Sequence, residues 1–311
     1  AGAAVTGAQA GAISAQLAYS RDFERESDRI GFDMLRRAGF DPAGMAGFFT
    51  RLQQTSRLYE NNATAYLRTH PLTGERLSDM QNREQGSSYR QVPDSADFQL
   101  VRARVRALEG RPSERIAEFE AQLRDRKFVS EAATRYGLAV AQVRAGDWRA
   151  AEREVVVLRR MNIASPMVYR LAGQVKLGLG ESEAGLATLR EGLARFPLSQ
   201  ALAADYGSAL NAQKRFRDAL LFADEQLVAH PQNLRFHQIR ADAYGGLGQR
   251  SQYHFELAEM SLLKGQTAGA IEQLEIAQKA GDANFYEMSV IDARMREAKR
   301  RQLEEMKERR N

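Results

Sequence analysis

Two carboxylates, Glu24 and Asp28, stand four residues apart in the stretch running from Tyr19 to Gly31. Ser20 suits a helix N-cap, and Phe23, Ile30 and Met34 recur at spacings that share one helical face. Gly39 closes the element before Asp41 and Pro42 start the next. On such a helix the two carboxylates project from one face about one turn apart, so one can bind a metal while the other orients a neighbouring ligand. The same spacing also suits a solvated face with Arg21, Arg25 and Arg29 as i,i+4 partners. Further along, His70 precedes Pro71, which holds it extended. Its imidazole can reach a metal, a substrate oxyanion or a carboxylate, or act as a cap.

The letters around these residues carry a resemblance. Ser20-Arg21-x-x-Glu24-x-Glu26-Ser27-Asp28-Arg29-Ile30-Gly31 resembles the third-ligand helix of the zinc metallopeptidase family that includes the CAAX prenyl protease and the heat-shock protease HtpX. It is most similar to the soluble periplasmic branch, of the BepA type. In that family the pattern is Glu-x-x-Ala-Asp; Ser27 stands where alanine is usual, and both carboxylates are kept. Thr69-His70-Pro71 through Arg76 resembles the family's Thr-His-Pro-x-x-x-x-Arg segment, which returns towards the active site. The resemblance implies that Glu24 is a zinc ligand with Asp28 behind it. It implies that His70 or Arg76 helps stabilise the tetrahedral oxyanion, His70 as a transient ligand or donor, and that the loop from Glu60 to Thr64 lies over the cleft.

A catalytic zinc of this kind needs two histidines one helical turn apart with a general-base glutamate between them, written His-Glu-x-x-His. The four histidines are His70, His230, His237 and His254, and no pair of them has that spacing. The family places that helix upstream of the Glu24 helix. The chain is therefore expected to be the C-terminal part of a metallopeptidase, inactive by itself, with one zinc in the intact protein and an incomplete site here. Residues 1–18, rich in glycine and alanine, are expected to form a helix that packs beside the catalytic one. They are too short and polar to span a bilayer and lack the basic start of a signal peptide.

The rest of the chain reads as scaffold. A length of 311 residues allows about two domains, and 43% apolar with 27% charged residues is an ordinary composition for a soluble protein. With no cysteine, disulfides and thiolate metal sites are excluded. The net charge of +5 is spread along helices beside acidic residues, which argues against a nucleic-acid surface. Asp41-Pro42 opens a helix to about Tyr59 with Met45, Phe48, Phe49 and Leu52 on its apolar side, and another runs from about Gly74 to Glu84. The boundary falls in the linker from Gln85 to Asp94.

Beyond it Gly146, Gly180, Lys214 and Gly248 recur every 34 residues, as do Pro197 and Pro231. Small residues fill close-contact positions: Ala139, Gly173, Gly207 and Ala241 in the first helix of each unit, and Ala151, Gly185 and Ala219 in the second. This is the tetratricopeptide pattern. Residues 96–126 read as a degenerate leading hairpin around Gly110, and a helix at about 251–264 serves two successive hairpins. Trp148, Tyr169 and Phe216 belong to the core, and His230 and His254 are surface or packing residues. The last stretch, from Arg294, reads as a charged helix that frays in solvent or caps the array.

The fold is thus expected to be all-α. Residues 1–90 form the remnant of a helical metallopeptidase domain, 91–284 a tetratricopeptide solenoid and 285–311 a charged C-terminal helix. Stacked hairpins of this kind line a concave groove with their first helices. The candidates there are Arg135, Gln142, Arg170, Gln174, Asn211, His237, Arg240 and Tyr244, with solvated or intra-repeat roles as the alternative for each. By resemblance the intact protein is a periplasmic zinc metalloendopeptidase whose repeats recruit protein substrates or the outer-membrane protein assembly machinery, with no nucleic acid and no transmembrane segment involved. A non-catalytic repeat adaptor is the alternative.

Overall fold

The computed structural model describes residues 22–58, 74–85 and 93–308, and every regular element in them is an α-helix. The chain divides into two compact units, Ala1–Asp94 and Ser95–Asn311. The expected helix at 1–18, the loop at 60–64 and His70 lie outside the described residues.

In the first unit, α1 covers 22–37, α2 covers Ala43–Leu58 and α3 covers Gly74–Gln85. Gly39, at φ +82°, ends α1 in a left-handed turn, with Phe40 N–H donating to the Leu35 carbonyl at 2.9 Å. Asp41 then caps α2 through Oδ1, which accepts from Ala43 N–H at 3.0 Å. Phe32, Ala46, Phe49 and Met80 form the small core, with Met45 and Leu77 against it. The apolar stripe expected on α1 is not its buried face. Phe23, Ile30 and Met34 are 56%, 47% and 64% exposed, while Asp28 and Phe32 face inward. Phe48, expected beside Phe49, is likewise exposed. The inward face of α1 is set by an ion pair that draws its carboxylates in, described below.

The second unit opens with α4 (Ala96–Leu108) and α5 (Pro112–Arg124), the leading hairpin around Gly110. Four hairpins follow: α6 (Glu131–Arg144) with α7 (Trp148–Arg160), and α8 (Pro166–Gly178) with α9 (Ser182–Arg195). The next two are α10 (Gln200–Ala212) with α11 (Phe216–Ala229), and α12 (Leu234–Gly246) with α13 (Arg250–Leu263). Each helix packs on the next, and the first helices also touch in series, α6 on α8, α8 on α10 and α10 on α12. Gly146, Gly180 and Gly248 have φ of +77°, +81° and +76°, and Lys214 adopts +58° in the same place. In all four turns the next residue's N–H reaches back to a carbonyl of the first helix, as Asp147 does to Gln142 at 3.0 Å and Arg215 to Leu210 at 2.9 Å. The repeat is therefore a repeated helix stop. The aromatic opening the second helix packs on a glycine thirty residues on: the Trp148 ring occupies the space a Cβ at Gly178 would need, and Phe216 does the same at Gly246. Tyr169 is buried, whereas Trp148 and Phe216 are half-buried against these glycines.

As expected, α13 serves two hairpins, packing on α12 and on α14 (Thr267–Lys279). Asp282 anchors its start, accepting from the Arg250 and Ser251 N–H groups and from the Ser251 hydroxyl, contacts that hold its carboxyl below the usual carboxylate range. The last helix, α15 (Phe285–Glu308), is a packed cap instead of a frayed tail. Ile291, Met295 and Ala298, one helical face, are buried against the end of the array, and Arg294 forks onto Glu259 at 2.5 and 2.6 Å.

Candidate functional site

The carboxylates singled out by spacing meet one guanidinium. Glu24 and Asp28 lie one turn apart on α1, and Arg76 enters from the first turn of α3. Arg76 Nε and Nη2 donate to the two oxygens of Asp28 at 2.6 and 2.8 Å, a bidentate fork. Its Nη1 pairs with Glu24 Oε2 at 3.0 Å. Arg76 is 7% exposed and Asp28 4%, and the Glu24 side chain is 16% exposed. The guanidinium also lies 5.2 Å from the centre of the Phe49 ring. In so dry a setting a planar fork fixes rotamers on both helices, and Arg76 holds Glu24 in place through two helical positions at once.

Arg76, which the resemblance puts with His70 at the oxyanion, directs its Nε, Nη1 and Nη2 at carboxylates of α1, so the side chain acts as a clamp. The clamp links positions 48 residues apart, which no local pattern could announce. The neighbouring charges stay at the surface: Arg29 pairs with Glu26 at 2.5 Å and Arg25 with Glu75 at 2.5 Å, and the Arg29 contact holds the Glu26 carboxyl below its usual range. Among the described residues no group of three or more His, Asp or Glu side chains comes together as a metal set. Glu24 is an oxygen donor of the kind zinc accepts, and a clamped carboxylate is well suited to that task. By itself it is one ligand of the three that a catalytic site takes from protein.

The eight groove candidates are mostly occupied in holding the repeats together. Arg135 bridges Glu131 and Glu154, both at 2.8 Å. Arg170 forks onto Asp205 of the next first helix at 2.6 and 3.2 Å. Asn211 donates to the Ile239 carbonyl at 2.8 Å. Gln142 and His237 are each only 5% exposed, inside the array instead of on its face. Gln174 is exposed, and Tyr244 is half-buried with its phenol pushed up to about 12 by burial. His230 stacks on Phe236, and His254 contacts Gln273 at 2.8 Å.

Sequence reading missed a buried ionic network in the last full hairpin. Glu256, 1% exposed on α13, accepts from His237 Nδ1 at 2.8 Å and pairs with Arg240 Nη2 at 2.6 Å. Arg240 Nη1 reaches Asp224 at 3.0 Å. His237 Nε2 meets the Pro231 carbonyl at 2.9 Å. Both ring nitrogens face acceptors, an arrangement satisfied fully by the imidazolium. Burial alone would lower the pKa of His237, but the Glu256 carboxylate and the Pro231 carbonyl outweigh it and raise it above the ordinary value. A glutamate at a core-facing position of α13 was the one available signal.

Known proteins resemble parts of this chain. Residues 2–84 match the profile of Peptidase family M48. A "Beta-barrel assembly-enhancing protease" from Yersinia pestis is 26% identical over 299 residues, which is 96% of this chain and 61% of that protein. The Escherichia coli K12 protein of the same name is 39% identical over 103 residues, 33% of this chain and 21% of its own length. The chain thus spans about three fifths, or less, of these relatives. Among solved structures, a tetratricopeptide repeat protein from Parabacteroides merdae covers 80% of this chain and 98% of its own at 12% identity, with a TM-score of 0.43. The clamp of Arg76 on Glu24 and Asp28 lies within the stretch that matches the Peptidase family M48 profile, and the stacked hairpins of the second unit follow that stretch.

Proposed function

We propose that the chain works as part of a zinc-dependent metalloendopeptidase whose helical repeats recruit protein substrates. The observation that supports this reading most is the buried clamp on Glu24 within the segment that matches the M48 profile. Glu24 is the zinc ligand contributed by this chain, and Asp28 and Arg76 hold it in one rotamer. His70, outside the described residues, donates to the oxyanion of the tetrahedral intermediate. Zinc, when bound, supplies Lewis acidity for the scissile carbonyl and acidifies a water. The two histidines and the general base of a His-Glu-x-x-His element are not in these 311 residues, so the chain alone is expected to hydrolyse no peptide. From the curated relatives' name, we infer that the substrates are β-barrel proteins of the outer membrane, that their assembly machinery is the partner, and that the protein works in the periplasm.

The test is cleavage of an unfolded protein by the gene product that carries the His-Glu-x-x-His element. Activity should disappear with chelator and with Glu24→Gln. His70→Ala should keep zinc while kcat falls by roughly 10²- to 10³-fold, the loss typical of a single oxyanion donor. Undiminished cleavage by Glu24→Gln would remove this reading and leave the repeats as the functional part.

A further inference from the structure

The cap helix α15 carries a basic face that the array does not use. Ile291, Met295 and Ala298 are buried against the array, and Arg294 and Arg301 tie the helix to Glu259 and to the Leu262 carbonyl. The helix therefore cannot roll its buried side outward, and what it shows to solvent is fixed. On that outer side stand Arg296, Lys299, Arg300, Leu303, Met306 and Lys307, all exposed, with Leu303 at 60% and Met306 at 58%. At 3.6 residues per turn they fall within an arc of about 120° and run along about 17 Å of helix.

The acids of α15 are engaged or lie off this face. Glu297 pairs with Arg294 at 2.6 Å and Glu305 with Arg301 at 3.0 Å, and Asp292 accepts from Gln278 at 2.6 Å. Glu304 and Glu308 stand about 80° and about 120° round the helix from Arg296. Among the described residues, none of Arg296, Lys299, Arg300 and Lys307 has an ion-pair partner. Four unmatched cations with two exposed apolar side chains between them form one surface.

We propose that this face rests on an anionic phospholipid surface, the four cations at headgroup phosphates and Leu303 and Met306 between the headgroups. A single outermost helix is convex, so a flat surface meets only its outer stripe and leaves Glu304 and Glu308 tilted away. A partner helix would need an apolar seam every three or four residues, and cations occupy that seam everywhere but at 303 and 306. A nucleic acid has no apolar layer for Leu303 and Met306 to enter, whereas a bilayer has one beneath its phosphates. Among the described residues no helix is long and apolar enough to cross a membrane, so the contact is peripheral. The assignment does not depend on the peptidase reading, because all six residues lie in the second unit.

The test is flotation of the 311-residue chain with vesicles at about 1 mM lipid, made of phosphatidylcholine alone or with about 40% phosphatidylglycerol. The mixed vesicles should carry the chain and the neutral ones should not, and raising salt from about 0.05 to about 0.3 M should release it. Lys299→Glu with Arg300→Glu should weaken the partitioning at least about tenfold, and Leu303→Ser with Met306→Ser at least about threefold. Arg153→Glu with Arg217→Glu, exposed on α7 and α11 and equal in charge change, should leave it close to that of the unaltered chain. Helix content by circular dichroism checks that each variant is folded, and the vesicle and salt series read out on the unaltered chain. A labelled glutamate-rich peptide, followed by anisotropy, scores the other occupant: its capture without flotation would overturn the assignment in favour of an acidic protein. No flotation with anionic vesicles, equal loss in the two charge-reversed variants, or undiminished flotation after the Leu303 and Met306 changes would also overturn it.

Discussion

At the residue scale, two buried side chains, Arg76 and His237, hold carboxylates of neighbouring helices. Arg76 serves Asp28 and Glu24 together, so removing it leaves carboxylates buried without a counter-charge. Arg76→Met should destabilise the first unit by about 3 kcal/mol in urea unfolding, and Asp28→Asn by a similar amount. The double change should cost less than the sum of the two, since each single change already breaks the same pair. Arg76→Lys should not rescue, because an ammonium cannot make the fork. His237 is the pH-dependent member of the second unit. Its pKa is raised on folding, so the stability it adds is complete below its unfolded value of about 6.5 and is lost as pH rises through the folded value. Unfolding of the chain should be easier near pH 9 than near pH 6, and His237→Gln should flatten that difference. The sequence pointed to Glu24 and Asp28 because one turn of helix joins them. The clamp of Arg76 on them was not legible, because Arg76 lies on another helix, 48 residues from Asp28. His237 stood among the groove candidates, with an intra-repeat role as the alternative, because a buried histidine and an exposed one look alike until Glu256 and the Pro231 carbonyl come into view.

At the scale of elements, the array is a repeated solution to ending a helix, and the substitution at Lys214 shows what the turn requires. A non-glycine residue at φ +58° pays for its Cβ. Lys214→Gly should therefore raise stability by about 1 kcal/mol, whereas Gly180→Ala, at φ +81°, should lower it by a similar amount, both measured by denaturant unfolding. These stops were legible because they are local: a helix ends where its next few residues dictate, and the 34-residue spacing repeats the instruction. The face a helix buries was less legible. On α1 the apolar residues Phe23, Ile30 and Met34 are exposed and a carboxylate is buried, because Arg76 contributes more there than a thin apolar stripe does. On α15 the charged residues hid a sound core face of Ile291, Met295 and Ala298, since its arginines reach the array, Arg294 to Glu259 and Arg301 to the Leu262 carbonyl, and Arg301 also pairs with Glu305 on its own helix.

At the scale of the whole molecule, the chain pairs a small unit in which Arg76 clamps Glu24 and Asp28 with a larger unit of stacked helical hairpins. Among the described residues the small unit's core is four buried apolar side chains beside one clamp, so its stability and the orientation of Glu24 depend on neighbouring contacts. The larger unit ends in a packed helix that covers the last hairpin. The central claim is that Glu24, held by Arg76, is a ligand to a catalytic zinc. The most direct measurement is zinc content by elemental analysis of the gene product that carries the His-Glu-x-x-His element, beside its Glu24→Gln variant. About one zinc per chain, lost or greatly weakened in Glu24→Gln while helix content is unchanged, is the predicted result. No zinc in either protein, with both folded, would contradict it.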